Sequence, residues 1–193
     1  MAASKHTKTA EAIQQEWVEV QAAQKNPALF RVLYTRYYES IFRFVYKRTG
    51  EESVAADVTS QAFLKAMQKL HKYTFKGVPF SAWLFRIASN EVAQYYRKTK
   101  KNRVVAIDDY SLEDVTEEME DQHELTLQSS ILQEVIQELK PDEVQLVELR
   151  FFEKRPFKEV AEIMDMTENN AKVKVYRLLQ KMRKKFEKKK PNG

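Results

Sequence analysis

Phe80-Ser81-Ala82-Trp83-Leu84-Phe85-Arg86-Ile87-Ala88-Ser89-Asn90 sets Phe80, Trp83, Leu84, Ile87 and Ala88 at spacings of three and four, and Val92 continues the row. That spacing is one face of an α-helix, and the face is apolar enough to be core. Gly77-Val78-Pro79 stand immediately before it and interrupt any longer helix. Moving toward the N-terminus, Leu29, Leu33, Tyr37, Ile41 and Val45 recur every four residues, widened by Phe30, Tyr34, Tyr38 and Phe42. Gly50 then offers a helix stop. Val54, Val58, Ala62 and Ala66 make another stripe, flanked by Phe63, Met67 and Leu70. These helices can close one bundle over roughly residues 28 to 103.

Moving the other way, Leu132, Val135, Ile136 and Leu139 open a second helical module, punctuated by Lys140-Pro141-Asp142-Glu143. Two helices follow, Phe157 to Met164 and Glu168 to about Phe186, joined at Asp165-Met166-Thr167. The expected fold class is all-α: an N-terminal helical bundle (26–103) and a C-terminal helix-turn-helix domain (127–187), joined by an acidic linker (104–126). Residues 1–25 are read as an N-terminal arm, compatible with a short amphipathic helix around Ile13, Trp17 and Val20 or with a mobile segment. Residues 188–193 read as a disordered basic tail.

Charge is segregated along the 193 residues, and the net value of +5 hides it. Lys and Arg crowd Arg86 to Arg103 and Arg177 to Lys190. Val104 to Leu139 contains neither, and carries Asp108, Asp109, Glu113, Asp114, Glu117, Glu118, Glu120, Asp121 and Glu124. Two basic modules separated by an acidic connector suit two contacts with a polyanion and a linker that avoids it. The absence of cysteine excludes disulfides, thiolate nucleophiles and cysteine-ligated zinc. His6, His71 and His123 are scattered, and no phosphate-cradling Gly loop occurs. No catalytic residue, cofactor or metal is therefore expected. Met1 to Thr9 lacks the apolar core of a secretory signal, so a cytoplasmic location is expected.

On the last helix Ala171, Val175, Leu178, Leu179, Met182 and Phe186 share the side expected to pack. Asn169, Lys172, Val173, Tyr176 and Gln180 form the opposite stripe, with groups that can reach phosphates and base edges and a Val173 suited to a thymine methyl. Thr167 is the expected N-cap, while Asp165 stands where a helix-ending turn prefers Gly or Asn. In the first module, Lys72-Tyr73-Thr74-Phe75-Lys76-Gly77 interleaves aromatics and cations in a loop, a composition that suits unstacked bases and their phosphates. Tyr73, Phe75 and Lys76 are the residues expected to act there, while Trp83, Leu84 and Ile87 read as core.

Taken together these segments resemble the extracytoplasmic-function (ECF) sigma factors of bacterial RNA polymerase, from about Ala28 to Phe186. Phe80 to Asn90 is similar to the family's Phe-x-x-Trp-Leu-x-x-Ile-Ala-x-Asn signature. Ala56-Asp57-Val58-Thr59-Ser60-Gln61-Ala62-Phe63 looks like its Asp-(Ile/Val)-x-Gln-Glu-x-Phe helix, with Ser60 and Ala62 as departures. The resemblance implies binding to core RNA polymerase, at the β′ clamp helices and the β flap, with Asp57, Gln61 and Phe63 as contacts. It implies minus-ten recognition and opening by Tyr73, Phe75, Lys76, Arg86, Asn90, Gln94, Arg97 and Lys98; Gln94 replaces an Asp frequent in relatives. Leu139-Lys140-Pro141 resembles the opening of the family's fourth region. Asn169 to Arg177 is similar to its Gly-Thr-Val-Lys-Ser-Arg run, implying minus-thirty-five recognition by Asn169, Asn170, Lys172, Val173, Lys174, Tyr176 and Arg177. In relatives the linker threads polymerase channels, and an anti-sigma protein is a common further partner; no residue here identifies one. A free-standing helix-turn-helix regulator is the alternative reading, and it leaves the aromatic loop unexplained.

Overall fold

The computed structural model describes residues 8–99, 115 and 129–189, and among these it is helical with no strand. The acidic residues expected to form the linker lie outside the described residues. The chain divides into two compact units, an N-terminal one carrying Lys8–Thr99 and a C-terminal one carrying most of 129–189.

In the N-terminal unit, α1 (Ala10–Lys25) is followed by a 3-10 turn at Pro27–Leu29 and by α2 (Phe30–Thr49), α3 (Glu52–Lys69) and α4 (Phe80–Thr99). Most of each stripe read from sequence is buried, as with Leu33, Ile41 and Val45 of α2, Val58, Ala62 and Ala66 of α3, and Leu84, Ile87, Ala88 and Val92 of α4, whereas Leu29, Tyr34 and Met67 are exposed. Phe44 meets Phe85 edge-on at 4.8 Å between ring centroids. Each such side chain contributes on the order of 1.5–3 kcal/mol by leaving water. α2 stops at Gly50, whose φ of 71° is left-handed and whose N–H bonds the Tyr46 carbonyl at 2.9 Å. A residue with a Cβ would be strained there.

The segment left open between helix and arm is helical over Ala10–Lys25. Thr9 caps it, accepting from the Ala12 N–H at 3.2 Å, and Val20 and Ala23 are fully buried against the bundle.

The C-terminal unit consists of α5 (Ser129–Gln137), α6 (Pro141–Val147), a π turn at Glu148–Phe152, α7 (Phe157–Ile163) and α8 (Glu168–Lys189). Pro141 occupies the first turn of α6, and the Glu143 carboxylate accepts from the Lys140 N–H at 2.9 Å. The π turn closes through the Glu153 N–H and the Glu148 carbonyl at 2.8 Å. Its wider turn carries Leu149 and Phe151 into the core along with Glu148. Nearby Arg155 and Glu159 are also buried and pair at 2.7 Å.

The expectation of a disordered tail from Lys188 fails for its first two residues, which complete α8. Lys189 pairs with Glu134 at 2.8 Å and Glu138 at 3.0 Å, and Lys185 pairs with Glu138, tying the end of α8 to α5. Hydrogen bonds from Lys185 and Lys189 hold the Glu138 carboxyl down at about 2, so it keeps its charge in any ordinary buffer.

Candidate nucleic-acid interface

α7 ends in a Schellman turn. The Met166 N–H bonds the Ala161 carbonyl at 2.9 Å, the Asp165 N–H reaches that of Glu162 at 3.4 Å, and Asp165 takes a left-handed φ of 55°. Asp165 thus occupies the left-handed position itself, where Asp is tolerated better than a β-branched residue. Thr167 then caps α8, accepting from the Asn170 N–H at 3.2 Å. Ala171, Val175, Leu178, Leu179, Met182 and Phe186 are all buried. Asn169, Asn170, Lys172, Val173, Lys174, Tyr176, Arg177 and Gln180 are all exposed. Tyr176 packs near Phe157 of α7 at 6.4 Å, and Lys172 pairs with Glu168 at 2.8 Å. The exposed side of α8 therefore offers cations, amides, a phenol and a methyl-bearing Val173, the set a major groove can accept.

The loop before α4 differs from its expected form at one residue. Tyr73 is buried: its ring lies 4.8 Å from Trp83, 5.3 Å from Phe80 and 5.9 Å from Trp17. It is a packing residue of the loop's base, and no face of it is open to a nucleobase. Phe80 and Trp83 of α4 and Trp17 of α1 together enclose it. Phe75 remains 38% exposed and stacks on Trp17 at 5.6 Å with 24° between the ring planes. Lys72 and Lys76 are exposed beside it, and Gly77 turns the chain at φ 65°.

Along α4, Arg86, Asn90, Gln94, Arg97 and Lys98 follow one stripe. Asn90, Arg97 and Lys98 are exposed, and Arg86 and Gln94 are half-buried. Lys65 of α3 pairs with Glu91 at 2.7 Å and donates to the Gln94 Oε1 at 3.1 Å, which leaves the Gln94 amide nitrogen as its outward donor.

Sequence reasoning missed Glu16. It is buried on α1, accepting from the Phe80 N–H at 2.9 Å, from Lys8 at 2.8 Å and from the Tyr37 hydroxyl. Burial works to raise its pKa, but the hydrogen bonds from Lys8, Tyr37 and Phe80 outweigh it and hold the carboxyl below the usual range. Burial, and then the Glu16 charge, push the Tyr37 hydroxyl well above its ordinary value. A lone acid in a polar helix reads as solvated, and no local pattern marks this one.

On α3, Asp57 and Gln61 are exposed one turn apart. Phe63, expected beside them as a contact, is 4% exposed and packed among Phe30, Tyr34 and Tyr38. It belongs to the core stripe with Ala62 and Ala66. Leu64 and Met67 are the exposed apolar side chains near Asp57 and Gln61, and they line a groove of about 410 Å³ with Tyr34, Ser60 and Phe63 itself.

Residues 33–102 match the model of Sigma-70 region 2, and residues 129–182 match that of Sigma-70 region 4. The chain is also 31% identical over 169 residues to the ECF RNA polymerase sigma factor BldN of Streptomyces coelicolor. The chain belongs to the ECF sigma factors. The BldN match covers 82% of this sigma factor and 61% of BldN, so the chain spans somewhat under two thirds of that relative. It is 24% identical over 151 residues to the ECF RNA polymerase sigma factor SigM of Bacillus subtilis, covering 78% of this chain and 91% of SigM. The solved structure of CnrH in complex with the cytosolic domain of CnrY shares its fold, at a TM-score of 0.58 and 17% identity, over 90% of this chain and 98% of that one. Sigma factors are generally non-enzymatic initiation factors. The region 2 match takes in most of α2 and all of α3 and α4, and the region 4 match runs from α5 into α8. α1 lies ahead of both. Among the described residues no helix is long and apolar enough to cross a membrane, and no group of His, Asp and Glu could hold a metal ion.

Proposed function

We propose that this chain acts in the cytosol as an alternative sigma factor, binding core RNA polymerase and directing it to a specific set of promoters. The two family matches, each on its own helical unit, carry the reading. In it, the exposed side of α8 reads minus-thirty-five duplex in the major groove through Asn169, Asn170, Lys172, Val173, Lys174, Tyr176 and Arg177. The N-terminal unit docks on the clamp through Asp57, Gln61 and the apolar Leu64 and Met67. Phe75, Lys76 and the α4 stripe from Arg86 to Lys98 hold the opened minus-ten strand. Extruding a base costs a few kcal/mol, offset by stacking on a ring and by cations on the phosphates. The chain contributes binding and strand opening, and the polymerase performs the chemistry.

The test is co-purification with bacterial core RNA polymerase, then run-off transcription on fragmented genomic DNA. The expected result is stoichiometric binding and new transcripts with shared sequences ahead of their starts. Retention on duplex DNA without any affinity for core polymerase would instead identify a free-standing regulator.

A further inference from the structure

α1, which neither family match includes, grips the loop before α4 at three points. At the loop's entry the Gln24 Nε2 donates to two backbone carbonyls, Leu70 at 2.9 Å and Tyr73 at 2.8 Å. In its middle, Trp17 stacks on Phe75 and meets Tyr73 edge-on. At its exit the Glu16 carboxylate receives the Phe80 N–H, the first of α4. Glu16, Trp17, Val20 and Gln24 lie on one side of a helix, so a single rigid element carries all three grips. Val20 and Ala23, both buried, seat that element on the bundle.

Charge is arranged to match. Glu16 would repel a nucleic-acid strand, yet it is buried, and Lys8 at 2.8 Å and Arg36 at 3.5 Å surround its carboxylate. What the loop presents outward is Phe75, backed by Trp17, with Lys72 and Lys76 beside it. A ring held from behind loses little freedom when a base stacks on it, whereas a free loop must be ordered at that moment.

We infer that α1 is a positioning element for strand capture: Trp17 holds the Phe75 ring as a fixed platform for one unstacked base, and Gln24 and Glu16 fix the backbone on either side. The inference rests on the proposed function, because it concerns the loop that reading assigns to the opened strand.

The experiment uses the full chain bound to core polymerase, with Trp17→Ala, Trp17→Phe and Gln24→Ala variants. Its probe is a fluorescent single-stranded oligonucleotide carrying the non-template minus-ten sequence mapped from the parent's own transcripts. Trp17→Ala and Gln24→Ala are expected to keep the parent's affinity for core and to bind the strand at least about ten-fold more weakly. Trp17→Phe, which keeps an aromatic ring behind Phe75, restores most of the affinity. Amide hydrogen exchange speeds up across residues 73–79 in both alanine variants while the α2 and α3 amides stay protected. Gln24→Ala removes two hydrogen bonds and little packing, so it decides the matter where Trp17→Ala lowers the melting temperature. Unchanged strand affinity in Gln24→Ala, with exchange in the loop accelerated, overturns the positioning role while leaving the sigma-factor reading intact. A parent holoenzyme that does not bind the strand overturns that reading and this inference with it.

Discussion

Replacing the cations of α8 one at a time should reveal which of them meet phosphate, because their surroundings differ. Lys172 sits 2.8 Å from the Glu168 carboxylate one turn earlier, whereas Lys174 and Arg177 are exposed with no ion pair among the described residues. Each phosphate a cation neutralises contributes about 0.9 to the slope of log affinity against log salt, or about 3.5-fold in affinity between about 50 and 200 mM. Lys174→Ala and Arg177→Ala should each lower the slope by about 0.9, and the double variant by about 1.8, so that it loses about 12-fold less affinity over that range. Lys172 has to share its charge with Glu168, so Lys172→Ala should lower the slope by less than half as much, about 0.4 or below. Glu168→Gln releases Lys172 and should steepen the slope. The assay is fluorescence anisotropy of labelled promoter duplex with the holoenzyme, titrated at several salt concentrations. If neither Lys174→Ala nor Arg177→Ala changed the slope, the assignment of the exposed α8 side to the DNA backbone would be wrong; a Lys172→Ala change as large as that of Arg177→Ala would refute the charge sharing with Glu168.

Asp57→Ala/Gln61→Ala should abolish or strongly weaken pull-down of core polymerase without shifting the melting temperature, since both side chains are exposed; retained binding would remove α3 from the docking surface. Because the donors around Glu16 hold its folded pKa below the ordinary 4.5, the stability it contributes is present above pH 4.5 and is lost as pH falls through the folded value. Glu16→Gln should therefore flatten the acid side of the urea midpoint measured against pH, and an acid limb identical to the parent's would count against the network. Gly50→Ala should cost about 1–2 kcal/mol in urea unfolding, because φ there is 71°; a neutral change would mean that the end of α2 relaxes to another conformation.

The two sides of α8 were legible from its letters alone, because spacings of three and four sort one helix into a buried and an exposed side wherever a flat partner lies beneath it. All of the residues assigned to the packed side of α8 are buried, and all of those assigned to the outer stripe are exposed. Asp57 and Gln61 owe their assignment to family likeness, since their chemistry alone resembles any polar surface. Two of the misses share one cause. Tyr73 and Glu16 each have neighbours tens of residues away, and local periodicity carries no record of those. Tyr73 reads as an exposed loop aromatic, whereas Phe80, Trp83 and the distant Trp17 of α1 enclose it. Phe63 flanks the α3 core stripe by its spacing, and only the family pattern places it outward. The π turn at Glu148–Phe152 is invisible for a different reason: it inserts one residue into a helical row, and the apolar residues on either side still look continuous.

The bond between Glu16 and Phe80 spans 64 residues of chain. During synthesis at about 5–20 residues per second, roughly 3 to 13 s pass between the appearance of the acid and that of its N–H partner. Through that interval Glu16 lacks its Phe80 donor, and Trp17 has neither Tyr73 nor Phe75 to cover until late in it. Within the N-terminal unit α1 is made ahead of α2, α3 and α4, yet its grip on the loop is complete only once the start of α4 has been made.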